Sequence, residues 1–125
     1  MDMDKTEQAL AERIELSLLY DFYGALLKES QRRMFESHIL EDFNLTEIAE
    51  EEGISRQGVY DAVKRATRQL HEYEKKLGLV ARFKKQKKQI LLLQEHLQKL
   101  PWPEDSEERT AIHDILENIL GTVTN

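Results

Sequence analysis

Cysteine is absent from the 125 residues. That excludes thiolate nucleophiles, sulfur-ligated zinc and disulfide staples, and it fits a reducing compartment. Only two prolines and five glycines interrupt the chain. No stretch alternates apolar and polar residues as a strand does, so an all-α fold is expected. No apolar run approaches the roughly 18 residues that a membrane span needs. The opening MDMDKTEQ has neither the basic nor the apolar part of a secretory signal. The expectation is a cytoplasmic protein with no membrane span. The length suits one compact domain, or a small domain with an appended element.

Patterns that carry enzyme chemistry are also missing. His38, His71, His96 and His113 are scattered with no i, i+4 pair, so no metal or other cofactor is expected. Neither the glycine-rich phosphate loops nor the nucleophile elbow occurs. Glu50, Glu51 and Glu52 read as a solvated face. Catalysis is not expected.

What is present is charge, unevenly placed. Residues 1–55 carry a net −9, residues 56–88 a net +8, and residues 89–125 a net −5. The whole-chain value of −6 hides this basic block. A block of one sign is either a set of solvated helix faces or the footprint of an anionic partner.

Periodicity gives six helical segments. The first covers about Lys5 to Leu27, with Ile14, Leu18 and Phe22 on one apolar face and Leu16, Leu19, Tyr23 and Leu27 on another. The second covers Ser30 to Glu41, with Met34, Phe35, His38 and Ile39 inward. Thr46 is placed to cap a short third helix that stops near Gly53. Ser55 caps a fourth from Arg56 to Leu77, ended by Gly78. The fifth covers Val80 to Leu100, closed by Pro101 and Pro103. Asp105 and Glu108 form a capping box for a sixth that stops at Gly121. Residues 1–78 are read as a helical N-terminus plus the central motif, and 79–125 as a C-terminal extension packed on the same domain or on a partner.

That central motif occupies residues 45–70, LTEIAEEEGISRQGVYDAVKRATRQL. Leu45, Ile48 and the small Ala49 face inward where a second helix crosses. Gly53 takes the turn, and Ile54 plugs it into the core. Val59 and Val63 then recur on the buried side of the next helix. Small residue, glycine, apolar plug and β-branched residue in this register describe a helix-turn-helix. Such a motif lays its second helix in the major groove of DNA. The candidate contacts are Ser55, Arg56, Gln57, Tyr60, Asp61, Lys64, Arg65 and Arg68. Arg56 and Gln57 suit guanine and adenine edges, while Lys64, Arg65 and Arg68 suit phosphates. The same geometry also serves three-helix units that only pack or bind protein. Asp61, repelled by phosphate, and Gly58, a weak helix former, favour that alternative.

These residues carry a resemblance. Residues 30–70 resemble the fourth region of bacterial sigma factors. More closely, DFYGALLKESQRR (21–33), ISRQGVYD (54–61) and YEKKLGL (73–79) resemble the YlxM family of small bacterial proteins with sigma-like helix-turn-helices. The resemblance implies a sigma region 4-like bundle with extra terminal helices. It implies a DNA-binding or regulatory role, connected with the signal recognition particle of protein targeting. The sigma base-reading positions fall on Arg56, Gln57, Tyr60 and Asp61, of which Tyr60 and Asp61 depart from the usual sigma residues. DNA is the expected partner, and RNA is the alternative anionic one. A module that docks on signal recognition particle components is the alternative function.

Further on, Leu79, Phe83, Gln86, Ile90, Leu93, Leu97 and Leu100 recur at heptad spacing with one polar member. Two covers are open for this stripe: the other helices of the same chain, or a second copy. A homodimer through it is an expectation, and Ile112, Ile115, Leu116, Ile119 and Leu120 offer a second apolar face. Lys84, Lys85, Lys87 and Lys88 lie on the polar side. Trp102 reads as a plug over the turn between the last two helices.

Overall fold

A computed structural model describes residues 2–124, with side chains over residues 4–121. Among the described residues the chain is helical, with no strand. The helices are α1 (Asp2–Tyr23), α2 (Glu29–Phe35), α3 (Leu45–Glu52), α4 (Arg56–Leu77), α5 (Leu79–Gln98) and α6 (Glu107–Thr124). None among the described residues is long and apolar enough to cross a membrane. The chain forms two compact units, Met1–Gly78 and Leu79–Asn125.

In the first unit, α4 is the central strut and lies against α1, α2 and α3. Its inward residues Val59, Val63, Ala66 and Leu70 are buried, as are Leu19 and Tyr23 of α1, Met34 and Phe35 of α2, and Ile48 and Ala49 of α3. Each large apolar side chain removed from water in this way stabilises the fold by roughly 1.5–3 kcal/mol. Tyr20 stacks on Phe35 with ring centroids 5.3 Å apart. The Tyr23 hydroxyl donates to Glu74 Oε1 at 2.6 Å, which ties the end of α1 to the far end of α4.

Several local expectations are corrected. The first helix does not run to Leu27: α1 stops at Tyr23 and a 3₁₀ turn, Gly24–Leu26, follows. The Tyr20 ring occupies the space beside Gly24, where a Cβ would sit 2.6 Å from Cε2. Only one of the two apolar faces of α1 reaches full burial, through Leu19 and Tyr23, while Ile14 is 59% exposed. The second helix widens after Phe35 into a π-turn, Glu36–Leu40. That extra residue turns His38 and Ile39 to half-buried positions. Asn44, not Thr46, caps α3: its side chain accepts from Glu47 N at 2.9 Å, and the Glu47 carboxylate accepts from Asn44 N.

In the second unit, α5 and α6 form an antiparallel hairpin. Gln94 donates to Glu117 at 3.2 Å, and Leu116 is buried. Trp102 closes the turn as expected, half-buried, with Nε1 donating to Leu97 O at 2.6 Å. The expected Asp105 cap is displaced. Asp105 adopts a left-handed φ of 56°, and Ser106 Oγ takes the cap by accepting from Arg109 N. Gly121 does not stop α6, which continues to Thr124.

Candidate nucleic-acid interface

The turn between α3 and α4 is built from backbone demands. Gly53 has φ 70°, the left-handed region that penalises any side chain with a Cβ. With it there, the amides of Gly53 and Ile54 both reach Ala49 O, at 2.9 and 3.1 Å, and close the end of α3. Ser55 Oγ then accepts from Gly58 N at 3.0 Å and starts α4. Gly58 fits this cap, because a Cβ there would lie 3.2 Å from Ser55 Oγ and 3.4 Å from Ile54 Cδ1. Its absence of a side chain serves the turn. Ile54 is not the buried plug that its position suggests: it is 44% exposed and leans along the start of α4.

Burial of Val59, Val63, Ala66 and Leu70 fixes the rotation of α4, so the opposite side must face water. All eight residues singled out from sequence, Ser55, Arg56, Gln57, Tyr60, Asp61, Lys64, Arg65 and Arg68, are exposed. Arg56, Gln57 and Tyr60 share a shallow open hollow with Leu45 of α3. Arg68 lies about 16 Å along the axis from Gln57, at 1.5 Å per residue. Lys64 Nζ stands over the Tyr60 ring, 5.8 Å from its centroid. Gln57 Nε2 donates to Asp61 Oδ1 at 3.0 Å, so two of the candidate contacts are tied to each other.

The electrostatics favour anions at the head of this helix. The first turn of α4 carries no acid and begins with Arg56, whereas α3 opens with Glu47. The positive end of the helix dipole is therefore left uncompensated. A brace holds α3 in place on the other side. Arg33 Nε and Nη2 of α2 donate to the two carboxylate oxygens of Glu52 at 2.8 and 3.0 Å. Those hydrogen bonds, and then the guanidinium charge, hold the Glu52 carboxyl below the usual range and push Arg33 up. No group of carboxylates and histidines able to hold a metal occurs among the described residues.

Sequence reasoning missed the participation of Leu45 in the hollow, and the Asn44 cap that sets where α3 starts. Asn44 with Glu47 three places on was the legible sign.

Residues 10–110 match the model of a family described as "Putative helix-turn-helix protein, YlxM / p13 like" (UPF0122). The chain belongs to this family. Among its relatives, UPF0122 protein TTE1463 of Caldanaerobacter subterraneus is 54% identical over 80 residues, which covers 64% of this chain and 68% of the relative. UPF0122 protein BH2485 of Halalkalibacterium halodurans is 41% identical over 110 residues, covering 88% and 98%. A UPF0122 protein of Exiguobacterium sibiricum is 38% identical over 117 residues, covering 94% of this chain and all of the relative. The family description names a helix-turn-helix.

Proposed function

We propose that the chain is a nucleic-acid-binding regulator that lays α4 in the major groove of duplex DNA. The observation that carries the reading is the register of α4: one side buried, and the other presenting Arg56, Gln57, Lys64, Arg65 and Arg68 to solvent. In this reading Arg56 and Gln57 meet base edges from the first turn, and Lys64, Arg65 and Arg68 follow the phosphates. Residues 56–76 of α4 carry six cations and three acids, a net +3 that favours an anion there although the chain as a whole is acidic. Two copies joined through the C-terminal hairpin would present two such helices, the usual remedy for the weak affinity of one.

Binding to duplex DNA measured across salt concentrations tests this. Each phosphate contact contributes about 0.9 to the log–log slope, so Lys64→Ala with Arg68→Ala should flatten it by roughly 2. A folded double mutant with an unchanged slope removes α4 as the surface.

A second reading is favoured by the Gln57–Asp61 bond, which places a carboxylate among the base-facing residues. There the scaffold docks on a protein, with components of the signal recognition particle as the candidates, and acts in protein targeting without reading DNA. Pull-down from lysate with and without nuclease separates the two: a partner retained after nuclease treatment supports docking on protein.

A further inference from the structure

The heptad stripe of α5 is split by the fold. One column, Phe83, Ile90 and Leu97, is buried or half-buried. The other column is exposed along its whole length: Leu79 at 39%, Gln86, Leu93 at 47% and Leu100 at 51%. Antiparallel packing of α6 brings Ile115, 58% exposed, and Ile119, 43% exposed, to the same side of the hairpin as Leu93 and Leu100. The five apolar members of this set expose roughly 450 Å², a patch of the size that often marks a functional surface on a monomer and about half of one partner's share in a standard interface.

The charge on this hairpin is segregated along its axis. Residues 79–94 hold Arg82, Lys84, Lys85, Lys87 and Lys88 and no acid, a net +5. Residues 95–125 carry two cations and seven acids, a net −5. A parallel pair of α5 helices would set the two basic halves side by side. An antiparallel pair sets each basic half level with the neutral end of the partner's α5, where Lys99 offsets Glu95, and with the acids of the partner's turn and α6, twice over by symmetry. It also places Leu79 opposite Leu100 of the second copy.

We infer that two copies of this chain pair through the exposed column of α5, antiparallel, with the two-fold axis near Gln89 and Ile90. This rests on the paired-copy element of the function proposed above and specifies its orientation and register. The match of charge to charge identifies a second copy as the occupant, since the surface is its own complement only when reversed.

The absence of native cysteine makes the test direct. In the pairing inferred here, residue 82 of one copy lies beside residue 96 of the other and about 20 Å from residue 82, at 1.5 Å per residue. Chains carrying Arg82→Cys and chains carrying His96→Cys should form a mixed disulfide when combined, and neither should form one alone. Wild-type protein should sediment as a dimer at micromolar concentration and shift toward monomer as salt is raised. Leu93→Glu should give folded monomers with unchanged helicity, whose thermal midpoint is lower than that of the wild type and no longer depends on protein concentration. Disulfides formed by each variant alone mean a parallel pair and overturn the orientation while leaving pairing intact. A dimer with no disulfide of either kind overturns this surface. A monomer at all concentrations overturns both the inference and the pairing it rests on, while leaving DNA binding by single copies to the salt experiment.

Discussion

Gln57 and Asp61 sit one turn apart on the exposed side of α4, and the Gln57 amide donates to the Asp61 carboxylate at 3.0 Å. In the free protein this bond occupies a donor of the side chain best suited to an adenine edge, and it fixes a negative charge where phosphates would approach. Breaking it has opposite consequences under the two readings of function.

If α4 reads DNA, Asp61→Ala should raise affinity for duplex DNA by several-fold at low salt, through loss of one repulsion and release of Gln57. If α4 docks on a protein, the same change should weaken capture of that protein and leave DNA affinity near the wild-type value. Electrophoretic mobility or anisotropy titrations with wild-type and variant chains decide between them.

Gly53→Val should lower stability by about 1–3 kcal/mol, because a β-branched residue is strained at φ 70°. No atom lies within 4 Å of the position a Cβ would take, so crowding adds nothing. Gly53→Asn should therefore recover part of the loss, since asparagine tolerates the left-handed region better. Equal thermal stabilities of the wild type and the valine variant would mean that this backbone conformation is not maintained in solution.

The helix-turn-helix was legible because its constraints are local and consecutive: the glycine in the turn, the Ser55 cap and the Val59/Val63 register are read within the eleven residues from Gly53 to Val63. The outward register of the candidate contacts follows from the same few positions. Three features were hidden. Helix ends at Gly24 and at Phe35 depend on a ring stacked across helices and on a widened turn, neither of which leaves a periodic trace. Ile54 reads as a plug by residue type, yet its position at the tip of the turn leaves it half in water. The heptad stripe was visible as a stripe, but which column the fold covers depends on tertiary packing.

Gly24→Ala tests the close approach that ends α1. A Cβ would meet three atoms of the Tyr20 ring at 2.6 to 2.9 Å, so the ring must leave its stack on Phe35 and its hydrogen bond to Glu36. Overpacking of this kind costs about 1–3 kcal/mol. The accompanying Tyr20→Leu change should relieve much of it, because the ring that is struck is gone. A double-mutant cycle with additive effects would contradict the contact.

Acid should loosen the α2–α3 brace before it unfolds the core. Glu52 titrates below its ordinary value of 4.5 in the folded chain because Arg33 hydrogen-bonds its charged form. A carboxyl depressed on folding adds stability that is complete above its unfolded value and is lost as pH falls through its folded one. Wild-type stability should therefore decline as pH drops below about 4.5, and Glu52→Gln should show a shallower decline over that interval. Arg33→Ala should do the same from the other partner, since Glu52 then titrates as it does in the unfolded chain. Denaturant midpoints taken from pH 6 down to pH 3 measure both slopes. A wild-type curve that superimposes on those of the two variants across that interval would show that the pair does not persist in solution, and that α3 is held by its packing on α4.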